Sequence, residues 1–204
     1  MKESSILLIV LFVLTAVLLL PVDLFASLNK MVLRQPTVNQ RRHVDIRSFL
    51  FTIAQEYNFS LITANNINTP IREIKGDTVA QALSAYLHPA GLDYRFFDNT
   101  LYVANKYDLE RFFRLLPEYE LLLPTGRGNK KVNGSFRSVD LITLSAIIRA
   151  VSGIEIRPAS SLRVNLMMRL DNVPWKRLVI AIVFLNRYRM TLSDFTVVIS
   201  PEEF

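Results

Sequence analysis

The sequence has no cysteine, two histidines and a single tryptophan. Without cysteine, disulfides and thiolate metal sites are impossible. His43 and His88 are not at ligand spacing from each other, so imidazole-based metal binding lacks donors. They read as structural or surface histidines. No serine lies in a G-x-S-x-G setting, and histidine partners for a nucleophile are scarce. Glu118 with Glu120, and Glu202 with Glu203, read as surface charge rather than a paired acid and base. The glycine-containing stretch Gly126-Arg127-Gly128-Asn129-Lys130-Lys131 lacks the G-x-x-x-x-G-K-[ST] spacing of a phosphate loop. It reads as a flexible linker, or as a contact for an anionic polymer such as cell-wall material. These absences point away from an enzyme, from metals and from cofactors.

The net charge of +6 is scattered along the chain rather than gathered in one stripe with stacking aromatics. Nucleic-acid binding is therefore not expected. A solvated basic surface accounts for the charge, as does attraction to an acidic partner or an anionic membrane surface.

Long apolar sequence occurs once, from Ile6 to Leu20, after Lys2 and before Pro21. Residues 1–26 fit a secretory signal peptide, with Ala26 before the cut and the bulky Leu24 at a position that favours a small residue. The same run, extended through Val22, only just reaches the roughly 17 residues a spanning helix needs. It reads equally as a retained inner-membrane anchor over residues 4–22, and a buried core helix is a third reading. Lys30 and Arg34 balance Lys2 and the amino terminus, so loop charge does not fix orientation. Both membrane readings imply export. Residues 27–42 are polar and basic and read as a tether.

The rest of the chain states one pattern twice, about 95 residues apart. Val44-Asp45-Ile46 matches Val139-Asp140-Leu141, Ile53 matches Ile148, and Phe59-Ser60-Leu61 matches Ile154-Glu155-Ile156. Val79 to Leu83 aligns with Pro174 to Leu178, and Leu101-Tyr102-Val103 falls on Val197-Val198-Ile199. Within the first copy, Ile46, Phe49, Leu50 and Ile53 predict a helix capped by Asp45. Phe59 to Thr63 and Ile71 to Ile74 predict strands, Val79 to Leu87 a second helix, and Asp98-Asn99 a hairpin turn between Tyr94–Phe97 and Thr100–Val103. The second copy repeats the order, with Pro174 suited to a first helical turn and a hairpin turning at Ser193-Asp194. The expected fold class is α+β: two tandem small helix-on-sheet domains after an N-terminal hydrophobic helix, spanning 43–123 and 135–204. Residues 124–134 read as a linker that lets the modules reorient.

Between the copies, Tyr107 to Leu116 predicts an extra helix ended by Pro117, with an edge strand over Leu121–Leu123. Its stripe Leu109, Phe112, Phe113 and Leu116 lies against the first sheet or forms an interaction helix. Leu109, Phe112, Phe113, Lys130 and Lys131 are the candidate interaction residues. Trp175 either plugs its module's core or presents an aromatic anchor. Each module ends in a hairpin whose outer strand offers an open edge, able to take a strand from another copy or a peptide.

The segments Phe136–Leu141, Ile147–Ile156, Leu170–Leu178 and Val197–Pro201 together resemble the short N-terminal domain shared by secretins and TonB-dependent receptors. Asn172-Val173-Pro174-Trp175 is similar to type IV pilus secretins. The first copy resembles the same domain through Ile74–Leu83, Gly91–Tyr94 and Leu101–Val103. The resemblance makes Asn172, Val173, Pro174, Trp175, Gly76, Leu83 and Leu178 a structural family signature rather than a binding site. It implies a periplasmic domain. In secretins such domains stack into rings below an outer-membrane channel; in the receptors they relay a signal to an inner-membrane regulator. No β-rich channel follows Phe204 in this sequence, so an accessory protein or a fragment of a secretin is expected rather than a pore. The implied partners are cell-envelope proteins of a type IV pilus or a type II or III secretion complex, with self-association as a further possibility. An inner-membrane-anchored signalling module that binds a TonB-type receptor or regulator is the alternative.

Overall fold

Asp45 and Asp140 each start a helix in the same way. The Asp45 carboxylate accepts the Ser48 N–H at 2.7 Å and the Ser48 hydroxyl at 3.0 Å. Asp140 accepts the Thr143 N–H at 2.8 Å and the Thr143 hydroxyl at 2.6 Å. Each cap satisfies an amide that the first turn leaves unpaired. The computed structural model describes residues 44–65, 67, 70–71, 77–162, 164–193 and 195–202. The apolar leader, the tether, His43, Gly76 and most of the strand expected over Ile71–Ile74 lie outside the described residues.

The first half runs β1 (Val44–Asp45), α1 (Ile46–Glu56), β2 (Ser60–Thr63), β3 (Pro70–Ile71), α2 (Val79–Leu87), β4 (Leu92–Phe97) and β5 (Thr100–Asn105). After the intervening α3 (Lys106–Leu122), the second half runs β6 (Lys131–Asp140), α4 (Leu141–Ser152), β7 (Glu155–Pro158), β8 (Asn165–Pro174), α5 (Trp175–Leu185), β9 (Tyr188–Ser193) and β10 (Thr196–Pro201). The fold is α+β, as expected. Both halves share one order of elements and one pairing scheme. β1 pairs with β3, and β6 with β8, both antiparallel. β5 lies between a parallel β2 and an antiparallel β4, as β10 lies between β7 and β9. The β4–β5 turn places Asp98 and Asn99 at φ 48° and 53°, the mirror-image turn that matches strand twist.

The halves are joined through a sheet. β8 pairs with β6 on one edge and with β2 on the other, Leu61 opposite Arg169 and Ile62 opposite Met168. A five-stranded sheet of order β4-β5-β2-β8-β6 results, beside the three-stranded β7-β10-β9. This corrects the expectation of a reorienting linker. The Arg127 N–H donates to Ser152 O at 2.7 Å, the Trp175 N–H donates to Lys130 O at 3.1 Å, and from Lys131 the chain is already strand β6. Glycine content made this stretch read as loose; backbone hydrogen bonds to the second module hold it.

α3 is also longer than expected. Asn105 caps it by accepting the Asp108 N–H at 2.9 Å, and it passes through Pro117 to Leu122 instead of stopping there. An interior proline costs about 3 kcal/mol. The turn beyond it is retained because Leu116 and Leu123 are buried and Tyr119 meets Phe184 edge to face at 5.0 Å. Lys176 Nζ also donates to Glu120 O and Leu123 O, at 2.9 and 2.6 Å, supplying the terminal carbonyls. The edge strand expected over Leu121–Leu123 is therefore the end of a helix.

Candidate docking surface

The strand edge of β2 shows what these modules do with an exposed backbone rim, because another module occupies it. Ser60 Oγ accepts the Asp171 N–H at 2.9 Å and donates to Asp171 O at 3.2 Å. Thr63 Oγ1 donates to Met167 O at 3.1 Å. The Arg169 guanidinium donates to Phe59 O at 2.5 Å and to Asn58 Oδ1 at 2.7 Å. Four polar side chains thus extend a ladder of two residue pairs.

A second part of the junction is ionic. Arg177 of α5 meets Asp98 at the β4–β5 turn, lies 3.3 Å from Glu120 of α3, and stacks 5.0 Å over the Phe97 ring. Burial is the largest single influence and works against the Arg177 charge, but the hydrogen bond to Asp98 together with the nearby Tyr102 and Glu120 raises the guanidinium pKa overall. Arg111 of α3 donates to both oxygens of Glu202, at 2.8 and 2.6 Å. These bonds hold the Glu202 carboxyl below its ordinary pKa and raise that of Arg111. Arg187 Nε lies 3.1 and 3.0 Å from the two oxygens of the buried Asp108.

Five of the residues that carry the resemblance, Asn172, Val173, Pro174, Trp175 and Leu178, lie in the second module. Val173 and Leu178 are buried, and Trp175 is fully buried with its Nε1–H donating to Gly128 O at 3.3 Å. Trp175 is a core plug, not an exposed anchor. Pro174 occupies the N-cap of α5. Asn172 adopts φ 57°, and its N–H donates to Asn133 Oδ1 at 2.7 Å. Leu83 is buried in the first module. Of the candidate interaction residues, Leu109 and Phe112 are buried and Phe113 is partly buried, packed between Phe97 and Tyr102 at 5.6 and 5.4 Å. Their apolar surface is turned into this chain, so they do not form a free interaction helix. Lys130 and Lys131 are exposed, at the entry to β6. His88 is exposed and sits 3.5 Å from Asp93.

Open rims remain. Among the described residues, β4, β6, β7 and β9 each have a strand on one side only. β6 is blunted by two register irregularities, between Val132 and Gly134 and between Phe136 and Val139, and by the exposed Arg137. Beside β7 runs a groove of about 550 Å³, bounded by α4 and Arg127. A second, of about 560 Å³, lies at the end of α3 beside Leu121, which is 86% exposed. Among the described residues, no group of three or more histidines and carboxylates gathers at metal-binding distance, and no helix is long and apolar enough to cross a membrane.

Reading the sequence alone missed Ser60, Thr63, Arg169 and Arg177. The available signal was a contrast between copies: Ser60 and Thr63 stand where the second copy has Glu155 and Pro158. Set against known protein families, curated proteins and solved structures, the chain matches none.

Proposed function

We propose that this chain is a non-enzymatic, exported interaction protein of the periplasm. It docks onto a type IV pilus or a type II or III secretion complex through domain faces and strand edges. The observation that carries the reading is the duplicated pairing scheme, in which one module's strand edge, β2, is already occupied by a strand of the next. A fold that uses edge pairing internally, and keeps β4, β6, β7 and β9 open on one side, is suited to take further strands. The apolar leader supports export, and the Asn172–Trp175 resemblance supports a secretin-type partner.

The test is photo-crosslinking in intact cells from an unnatural residue at Thr191 on β9 or at Arg137 on β6, both exposed, followed by envelope fractionation. The expected result is a ring-sized complex containing an outer-membrane channel. A one-to-one complex with an inner-membrane regulator, or a chain recovered uncrosslinked from the envelope fraction, would overturn it.

A further inference from the structure

Helices α1 and α4 hold equivalent places in the repeat, but only α1 is covered. Strand β8 pairs along β2 and packs over α1, where Leu50, Phe51 and Ala54 are 0%, 7% and 0% exposed. Met167 of β8 and Arg137 of β6 close in beside Phe51, and the groove left there measures about 280 Å³. About 95 residues on, the three places carry Ser145, Ala146 and Arg149. Among the described residues no strand pairs with the outer side of β7. Ala146, Arg149 and the 70% exposed Ile142 line an open groove there of about 550 Å³.

We propose that this α4–β7 groove receives an extended, acidic segment of a protein partner, laid along β7 as β8 lies along β2. The shape follows from the repeat, since the equivalent face is filled by a strand. The charge follows from the groove. Arg127 and Arg149 line it, and among the described residues neither lies within ion-pair distance of a carboxylate. Glu155, the acid beside them, is engaged by Arg157 at 2.9 Å. In the filled junction the cation arrives with the strand: Arg169 donates to Phe59 O and Asn58 Oδ1 at the end of α1. At the end of α4 the chain supplies its own cation. Arg127 donates to Ala150 O at 3.4 Å, and its Cγ would lie 3.1 Å from a Cβ on Gly153, the counterpart of Asn58. A basic strand would meet Arg127 and Arg149 as like charges, whereas carboxylates would pair with them.

Backbone direction agrees. The Ser60 and Ala64 N–H groups donate to Asn99 O and Val103 O, so by alternation that of Leu61 faces β8. The Ala159 N–H donates to Ile199 O, so Ile156 faces outward as Leu61 does. Pro158 removes the next outward donor and keeps the ladder short. The internal ladder is no longer, Leu61–Ile62 opposite Arg169–Met168. So few backbone bonds leave selectivity to side chains: carboxylates against Arg127 and Arg149, and alternate apolar residues against Ile142 and Ala146. The inference rests on the reading of the chain as an interaction protein and names the chemistry of one partner segment.

The test titrates the full chain, in a nonionic detergent, into a fluorescein-labelled hexapeptide of alternating glutamate and valine and reads anisotropy. Saturable binding that weakens with salt is expected, and the matching lysine–valine peptide should not bind. Arg149→Glu should weaken binding at least about tenfold, and Ala146→Lys should tighten it at least about threefold. Both positions are exposed, and the Ala146→Lys chain should melt as the parent does. Peptides N-methylated at the valines or at the glutamates block opposite strand edges, so only one of the two should lose binding. No saturable binding of the glutamate–valine peptide, equal binding of the lysine–valine peptide, unchanged affinity in both variants, or equal affinity of the two N-methylated peptides would each overturn the proposal. Crosslinks from Thr191 and Arg137 in cells report on the interaction reading independently.

Discussion

Asn58 and Gly153 turn the chain out of the first helix of their respective modules in the same left-handed backbone, at φ 52° and 75°. Only Asn58 is also a contact between modules, accepting a hydrogen bond from Arg169 at 2.7 Å. The two positions should respond differently to substitution. Gly153→Ala places a Cβ 3.1 Å from Cγ and Nε of Arg127 and forces alanine into left-handed backbone, an expected loss of about 1–2 kcal/mol. Asn58→Gly keeps the backbone at ease and loses about 1 kcal/mol through the missing bond. Urea denaturation followed by Trp175 fluorescence reads both. An Asn58→Gly variant as stable as the parent chain would show that the turn alone matters at this position.

Arg187 is also left-handed, at φ 56°, where the first module has Gly91 at 70°. A bulky residue there signals a compensating contact, and the contact is with Asp108, whose side chain is 4% exposed. Arg187→Gly relieves the backbone but removes the cation from a buried carboxylate, so a net loss of about 1–3 kcal/mol is expected. Combining it with Asp108→Asn should recover most of that loss. A double variant no more stable than Arg187→Gly would exclude the ion pair as the reason for the strained backbone.

The repeat was legible because its signals are local. Asp45 and Asp140 stand just before apolar periodicity, Asp98-Asn99 separates two strand patterns, and Pro174 precedes a helix. The junction was not legible, because it is built from backbone groups of distant residues. Leu61 opposite Arg169 leaves no trace in residue type, and a serine such as Ser60 in a strand suggests a partner but not which one. Pro117 misled for the opposite reason: its local meaning is a stop, and distant contacts of Leu116, Tyr119 and Lys176 override it.

Tyr102 is buried with its ring 5.0 Å from Phe112 and 5.4 Å from Phe113. Thr100 and Arg177 lie close to its hydroxyl, but no group among the described residues meets it in good hydrogen-bond geometry. Burial pushes its phenol pKa well above the ordinary range. Leaving such a hydroxyl unpaired is costly, and Phe keeps both ring contacts. Tyr102→Phe should therefore be neutral or stabilising, by up to about 1 kcal/mol. A clear drop in the thermal midpoint would mean that the hydroxyl makes a bond the geometry does not reveal.

The tie between Arg111 and Glu202 predicts how stability changes with acid. Hydrogen bonds from Arg111 depress the folded-state pKa of Glu202, so the unfolded chain takes up this proton first as pH falls. The stabilisation is present above the ordinary carboxylate pKa and disappears as pH drops through the depressed one. Both side chains are partly exposed, at 21% and 27%, which limits the contribution to about 1 kcal/mol. Glu202→Gln should lower stability by that amount near neutral pH and flatten the decline that sets in as pH falls below about 5. Denaturant unfolding of both proteins across that range measures it. Parallel curves for the two would show that Glu202 is not held by Arg111 in solution, and that the end of β10 is secured to α3 by packing alone.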